Sequence, residues 1–363
     1  MFGLSGKYES LVEKVDRSQR LSRDEASVLA GAPLALLGLL ASRVKERKSG
    51  REVYYNRNFH IEPTNICVFN CRFCSYRRPA GASDAWDYSE EEILAQVEAH
   101  RDSGATEIHI VGGVHPQHDI YYYADLIRKV KRILPQASVK AFTAIELAYM
   151  IDKAGLTPHD GLALLKEAGM EAIPGGGAEI FDEAIRARIC PEKGSSETWL
   201  AMHREAHRIG ISTNATILYG HVENWEHRID HLDRLRTLQD ETGGFNAFIP
   251  LKYRSRHNSM SEVGEVSVVE DMRMTALARV YSCDNFPNIK AYWPMFGKTT
   301  AQIALAFGAD DMDGTIDDST KIYSMAGAED QSPAMTAADM ERLIRDAGYL
   351  PVERDTFYNP VKK

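Results

Sequence analysis

The chain has little cysteine, no excess of positive charge and no long unbroken apolar run. Five cysteines in 363 residues are too sparse for the disulfide framework of a small secreted domain. Fifty-two acidic residues outnumber 43 basic ones, a net charge of −9. That balance argues against a general binder of nucleic acid or anionic membranes, while leaving room for local basic pockets. The first residues, Met1 to Glu9, lack the apolar core of a signal peptide. Ala26 to Ser42 carries no charge, but a membrane-spanning helix wants about 20 predominantly apolar residues. This run is interrupted by Gly31, Pro33 and Gly38. Ser22-x-x-Glu25 ahead of it reads as a capping box, so two short helices meeting near Ala32-Pro33 are expected. No internal repeat, low-complexity tract or linker stands out. The expectation is a cytoplasmic protein with neither a nucleic-acid nor a membrane partner.

What is there is a stretch with three of the five cysteines, Asn65-Ile-Cys-Val-Phe-Asn-Cys-Arg-Phe-Cys-Ser-Tyr76. Cys67, Cys71 and Cys74 form a C-x3-C-x2-C triplet of soft ligands, suited to an iron–sulfur cluster or to zinc. Structural zinc usually takes four protein ligands, and Cys190 and Cys283 are distant, isolated and expected to be plain buried thiols. Three thiolates can hold three corners of a [4Fe–4S] cluster and leave the fourth iron open. The spacing is also the signature of the radical S-adenosylmethionine (SAM) superfamily, where the open iron takes the amino and carboxylate groups of SAM. The residue before the last cysteine in that superfamily is aromatic and lies near the adenine; here it is Phe73.

The first 50 residues read as helical, with a charged end stopped by Gly50. Beyond them, extended runs alternate with amphipathic ones. Strands are expected at Asn58–Thr64, Glu107–Val111, Val139–Thr143, Ala172–Pro174, Ser212–Leu218, Ala247–Pro250, Ile289–Trp293 and Ala309–Gly314. Eight such units predict an α/β fold, a (β/α)8 TIM-type barrel, with an open partial barrel as the competing architecture. The expected division is a helical cap at 1–50, a barrel at 51–324 and a C-terminal extension at 325–363 packed on the barrel. Ser89-x-x-Glu92 and Thr336-x-x-Asp339 mark two helix starts.

Sites in such barrels lie at the C-terminal strand ends, and unusual residues cluster there. Gly112 and Gly113 follow the second strand, either as a tight turn or, as in the superfamily, as a Gly-Gly-Glu-type turn that holds the SAM amino group. Val114 stands in place of the glutamate, so the contact would come from the backbone. Glu146 follows the third strand; it could accept hydrogen bonds from ribose hydroxyls or stabilise a helix start. Gly175, Gly176 and Gly177, with Glu179, follow the fourth as a plain turn or as backbone set against a ligand. His60, His115 and His221 lie on or beside strands, as structural residues or as partners for a carboxylate. Asn214 lies on the fifth strand. His203 and Arg204, on the helix after the fourth strand, are candidates for the SAM carboxylate.

Longer runs narrow the family. His60–Cys67, Ile108–Pro116, Lys140–Glu146, Ile173–Phe181, Ile189-Cys-Pro-Glu-Lys193, Thr213–His221 and Asp284–Trp293 together resemble the aminofutalosine synthases, radical SAM enzymes of the futalosine route to menaquinone. The resemblance implies a [4Fe–4S] cluster, SAM consumed as co-substrate, and the small molecule 3-[(1-carboxyvinyl)oxy]benzoate. It implies addition of the 5′-deoxyadenosyl radical to the enol ether, rearrangement and loss of carboxylate, giving 6-amino-6-deoxyfutalosine. An electron donor such as a flavodoxin or ferredoxin is implied too. The sister cyclic dehypoxanthine futalosine synthases, whose radical abstracts hydrogen, and a non-catalytic zinc-stapled binding protein are the alternatives. The dianionic substrate needs cationic or donor partners, for which His60, His115, His221, Asn214 and the Gly175–Gly177 backbone are candidates.

Overall fold

A computed structural model describes residues 6–282, 285–317 and 319–361; Cys283 lies outside them. Local sequence sets most helix boundaries. Ser22 accepts the Glu25 amide at 3.2 Å while the Glu25 carboxylate accepts the Ser22 amide at 2.9 Å, which starts the helix Arg23–Ala30. Pro33 separates it from Leu34–Ser49, where Gly50 at φ 56° ends the helix. The same reciprocal cap at Ser89 and Glu92 starts Glu90–Ala99. Among the described residues no helix is long and apolar enough to cross a membrane.

Each of the eight expected strand segments overlaps an observed strand. These are β2 (Asn58–Ile61), β3 (Glu107–Ile110), β4 (Ser138–Ala141), β5 (Met170–Ile173), β6 (Ser212–Tyr219), β7 (Phe245–Lys252), β8 (Asn288–Ile289) and β9 (Asp311–Gly314). β2 to β8 form one parallel sheet in chain order, with His60 beside His109 and His109 beside Lys140. β9 joins it through a bridge from Lys290 to Asp311 and an Ala291 amide to Asp311 carbonyl bond of 2.8 Å. On its other side the Thr315 amide reaches the Asn56 carbonyl at 3.1 Å, and the Asn58 amide reaches Thr315 Oγ1 at 3.1 Å. The continuous sheet is thus a seven-stranded parallel part-barrel, with β9 bridged to β8 on one side and linked through Thr315 to the start of β2 on the other.

Two strands escaped the sequence reading. β1 (Glu52–Asn56) lies between β9 and β10 (Leu350–Glu353) in a separate three-stranded sheet at the N-terminal end of the barrel. The seventh strand is shorter than expected: after the Lys290 bridge the chain turns into the helix Trp293–Phe296, where the indole N–H of Trp293 bonds the Gly314 carbonyl at 2.9 Å. We keep the three-part division of the chain as a proposal. Its last part contributes β10 and then Arg354 and Thr356, which bond Asp311 and Glu107 at 2.7 Å each and support the barrel floor.

Candidate active site

The loop after β2 carries the three cysteines, and its neighbours pin it from several sides. The Val68 amide bonds the Val114 carbonyl at 3.0 Å, and the Arg72 amide bonds the Ile189 carbonyl at 2.8 Å. The Asn70 amide donates to the Glu192 carboxylate at 2.6 Å, and Ser75 Oγ donates to the Arg256 carbonyl at 2.6 Å. Gly112 and Gly113 are required by this packing. A Cβ at 113 would lie 2.3 Å from the Ile66 carbonyl oxygen, and one at 112 would lie 2.8 Å from that of Thr64. Both glycine amides are committed inside the protein, Gly112 to Glu146 at 3.2 Å and Gly113 to the Thr64 carbonyl at 2.7 Å. Only their carbonyls remain to meet an ammonium group.

Cys67, Cys71 and Cys74 line one cavity of about 300 Å³, and no disulfide involves them. Burial pushes the Cys67 thiol up, and that of Cys71 up to about 12, so these sulfurs ionise when a cation binds. A lone zinc ion with Zn–S bonds of about 2.3 Å would need its donors close together. Among the described residues the only three donors gathered within 4.8 Å are Asp87, His115 and His118. The cysteine triplet is not among such groups. Cys190 is buried in the apolar core.

Phe73, Gly112, Gly113, Glu146, Gly176, Gly177, Glu179 and Asn214 line the same cavity. Glu146 is both a cap and a wall residue. One carboxylate oxygen accepts the Thr143 amide at 2.6 Å in a capping box for the helix Ala144–Lys153, and the other accepts the Gly112 amide. Burial raises its pKa, against those hydrogen bonds. Glu179, at φ 49°, pairs with Lys193, whose ammonium lies 5.2 Å from the Phe73 ring centroid. Burial alone would lower the pKa of Lys193, but Glu179 and the neighbouring thiols outweigh it and hold it well above the usual lysine range. Lys193 therefore stays cationic beside the cysteine loop.

Several expected site residues lie elsewhere. Arg204 is on the outer face of the helix Ser196–Arg208, paired with Glu241 at 2.9 Å and Glu197 at 3.6 Å, so it does not reach the cavity. His203 is fully buried against Thr213, 2.8 Å away. His115 sits outside the cavity by Asp87 and His118; the Gln117 amide donates to its Nδ1 at 3.2 Å, which leaves its proton on Nε2. His221 is held by its own turn, with Nδ1 accepting the Val222 amide at 2.7 Å and Nε2 bonding the Leu218 carbonyl at 3.0 Å. Gly175, at φ 93°, allows β5 to cross β6, where a Cβ would lie 2.1 Å from the Asn214 carbonyl oxygen. His60 is buried behind His109, with Nε2 3.2 Å from His109 Nδ1, and burial lowers its pKa to about 4. His109, not His60, faces the cavity.

The cavity floor holds residues that sequence reasoning missed. Lys140 pairs with Glu107 at 2.5 Å, and Lys290 pairs with Asp313. Burial pushes Glu107 up, but Lys140, Lys290 and Arg354 outweigh it and hold the carboxyl well below its usual range. Barrel interiors are normally filled by branched apolar side chains, so four charged residues there mark a polar seat. The available signal was a charge in mid-strand, as in Val139-Lys140-Ala141. Lys193 had no such periodic signal.

The profile of the radical SAM superfamily matches residues 61–235, and that of the CofH/MqnC C-terminal region matches 242–363. The chain is 43% identical to an aminodeoxyfutalosine synthase of Thermus thermophilus over 97% of this chain and 95% of that one. It is 40% identical to that of Streptomyces coelicolor over 99% and 95%. It is also 36% identical to a 5-amino-6-(D-ribitylamino)uracil–L-tyrosine 4-hydroxyphenyl transferase of Methanothermobacter thermautotrophicus, over 94% and 95%. In fold it is similar to methylornithine synthase (PylB), with a TM-score of 0.75 at 17% identity, covering 94% of this chain and 97% of that one. It is also similar to the hydrogenase maturase HydG of Carboxydothermus hydrogenoformans, with a TM-score of 0.76 at 17% identity over 97% and 80%. With its cysteine triplet at the mouth of a parallel barrel, this chain belongs to the radical SAM superfamily, in the family that contains the aminodeoxyfutalosine synthases.

Proposed function

We propose that this chain is a radical SAM aminofutalosine synthase, joining the 5′-deoxyadenosyl group of SAM to 3-[(1-carboxyvinyl)oxy]benzoate with loss of carboxylate. The observation that carries this reading is a single cavity bounded by Cys67, Cys71 and Cys74 at one end and by Lys140 and Lys290 at the other. It offers one end to a cluster with SAM and the other to an anionic substrate. Identity to the two synthases exceeds that to the 4-hydroxyphenyl transferase over the same span.

The three thiolates would hold a [4Fe–4S] cluster, which when bound supplies the electron that cleaves SAM. Phe73 offers a ring face to the adenine, Glu146 an acceptor to the ribose hydroxyls, and Lys193 a cation in place of Arg204 for the SAM carboxylate. The enclosed barrel keeps water and stray hydrogen donors from a reactive carbon centre and holds the alkene beside it. A flavodoxin or ferredoxin as electron donor, and the reducing cytoplasm as location, complete the proposal.

The test is anaerobic incubation of the reconstituted enzyme with SAM, reductant and the enolpyruvyl benzoate, followed by product mass. The expected product contains both the adenosyl group and the benzoate ring. If labelled adenosyl appears only as 5′-deoxyadenosine, addition is wrong and the hydrogen-abstracting sister chemistry takes its place.

A further inference from the structure

The cavity changes character along the barrel axis. Its mouth is the cysteine loop with Glu146 and Lys193, its middle is apolar, with Val111, Leu218, Ile249 and Leu251, and its floor is polar. The change follows strand order. On β3 and just past its end, Glu107 and His109 precede Val111; on β6, Asn214 and Thr216 precede Leu218. Residues two apart share a strand face, so each strand contributes first a polar and then an apolar group to the same interior.

On the floor His109 leaves its buried Nε2 without a partner, and one other residue is unpartnered. Lys140 and Lys290 each have a carboxylate partner, and Thr216 Oγ1 donates to the Gly175 carbonyl at 2.7 Å. Asn214 is 3% exposed and lines the cavity, yet its side-chain amide has no hydrogen-bond partner among the described residues. Buried polar side chains are nearly always satisfied, and this one offers two N–H donors and a carbonyl acceptor. Lys140 and Lys290 line the same cavity, each paired with a carboxylate, and an ammonium has three donors, so one carboxylate partner does not exhaust it.

We propose that Asn214 recognises the ring carboxylate of the aryl substrate and so sets which way round the substrate lies. This rests on the synthase reading above. The carbon delivered from SAM arrives at the cysteine end, so the vinyl group must point to the mouth. The ring then occupies the apolar middle, and its carboxylate, the end farthest from the vinyl carbon, reaches the floor. There the Asn214 amide donates to it, on a floor that it shares with the Lys140 and Lys290 ion pairs.

The test uses the cluster-loaded enzyme and two unreactive saturated ethers, 3-(1-carboxyethoxy)benzoate and 2-phenoxypropanoate, which lacks the ring carboxylate. Asn214→Asp replaces the donor with a second anion, and Asn214→Ser shortens the donor. Equilibrium dialysis is expected to show affinity for the benzoate ether falling at least tenfold in Asn214→Asp and less in Asn214→Ser. Affinity for 2-phenoxypropanoate stays within twofold of wild type, and iron content and SAM binding are unchanged. Equal losses for both ethers, or a loss of SAM affinity, overturn the assignment, as does wild-type affinity of Asn214→Asp for the benzoate ether. If wild-type enzyme forms no adenosyl adduct at all, the synthase reading falls and takes this assignment with it, an outcome seen without any variant.

Discussion

The Glu146 carboxylate accepts the Gly112 amide at 3.2 Å and the Thr143 amide at 2.6 Å, so one side chain ties the loop after β3 to the helix after β4 while facing the cavity. Its two expected roles, helix cap and SAM ligand, are separable by mutation. Glu146→Gln loses a charged acceptor, worth roughly 1.5–3 kcal/mol where the bond is charge-assisted, and SAM affinity is expected to fall about tenfold or more with iron content intact. Thr143→Val removes the hydroxyl that bonds the Glu146 amide at 3.2 Å and leaves the carboxylate. It should lower the melting temperature and spare SAM binding. Unchanged SAM affinity in Glu146→Gln would reduce the residue to a cap.

Replacing Cys71 with Ala should abolish both iron retention and SAM cleavage, since a three-thiolate set has no spare ligand. Cys190→Ala should keep its iron, because Cys190 is packed in the core. Iron and sulfide analysis of the two reconstituted proteins decides this, and full activity in Cys71→Ala would sink the cluster assignment.

Gly113→Ala should damage the site without touching a ligand. The new Cβ would meet the Ile66 carbonyl oxygen at 2.3 Å, and backbone on both sides leaves no flexible side chain to yield. Overpacking of this kind costs about 1–3 kcal/mol, and here the strain falls on the cysteine loop. Reduced iron content with a preserved far-ultraviolet dichroism spectrum is expected. Normal cluster loading would show that the loop is less constrained than its packing indicates.

Buried histidines make the fold sensitive to acid. His231 is fully buried, stacked on Phe181 at 3.8 Å, with Nε2 bonded to the Thr216 carbonyl at 2.8 Å. Burial lowers its pKa from 6.5 to about 3. Between those values the unfolded chain binds the proton and the folded chain does not, so stability falls as pH falls from about 6.5 toward 3. Between pH 7 and pH 5 this one group contributes about 2 kcal/mol of loss. His231→Gln should make the drop in urea-unfolding free energy between pH 7 and pH 5 smaller by about that amount; an equal drop in both proteins would refute it.

Much of this protein was legible in its residues because the determining interactions are local. The spacing of Cys67, Cys71 and Cys74 lies within one loop, the boxes at Ser22 and Ser89 close within three residues, and the strands are short apolar runs. Tertiary structure decided the rest. β1 and β10 are as long as β2 to β5 but lie outside the alternation of strand and helix that marks the barrel, and they exist because Glu52 pairs with Leu350, nearly three hundred residues away. Alternation along a strand tells which residues share a face, but not which face becomes the cavity, so His60 and His109 could not be ranked until the sheet curled around its interior. Arg204 and Lys193 are both basic residues in the segments after β5. Only the packing of the helix Ser196–Arg208 on the barrel turned Arg204 to Glu241 and left Lys193 beside Phe73. A charge is placed in a site by the elements that bury it, and those lie far away in the chain.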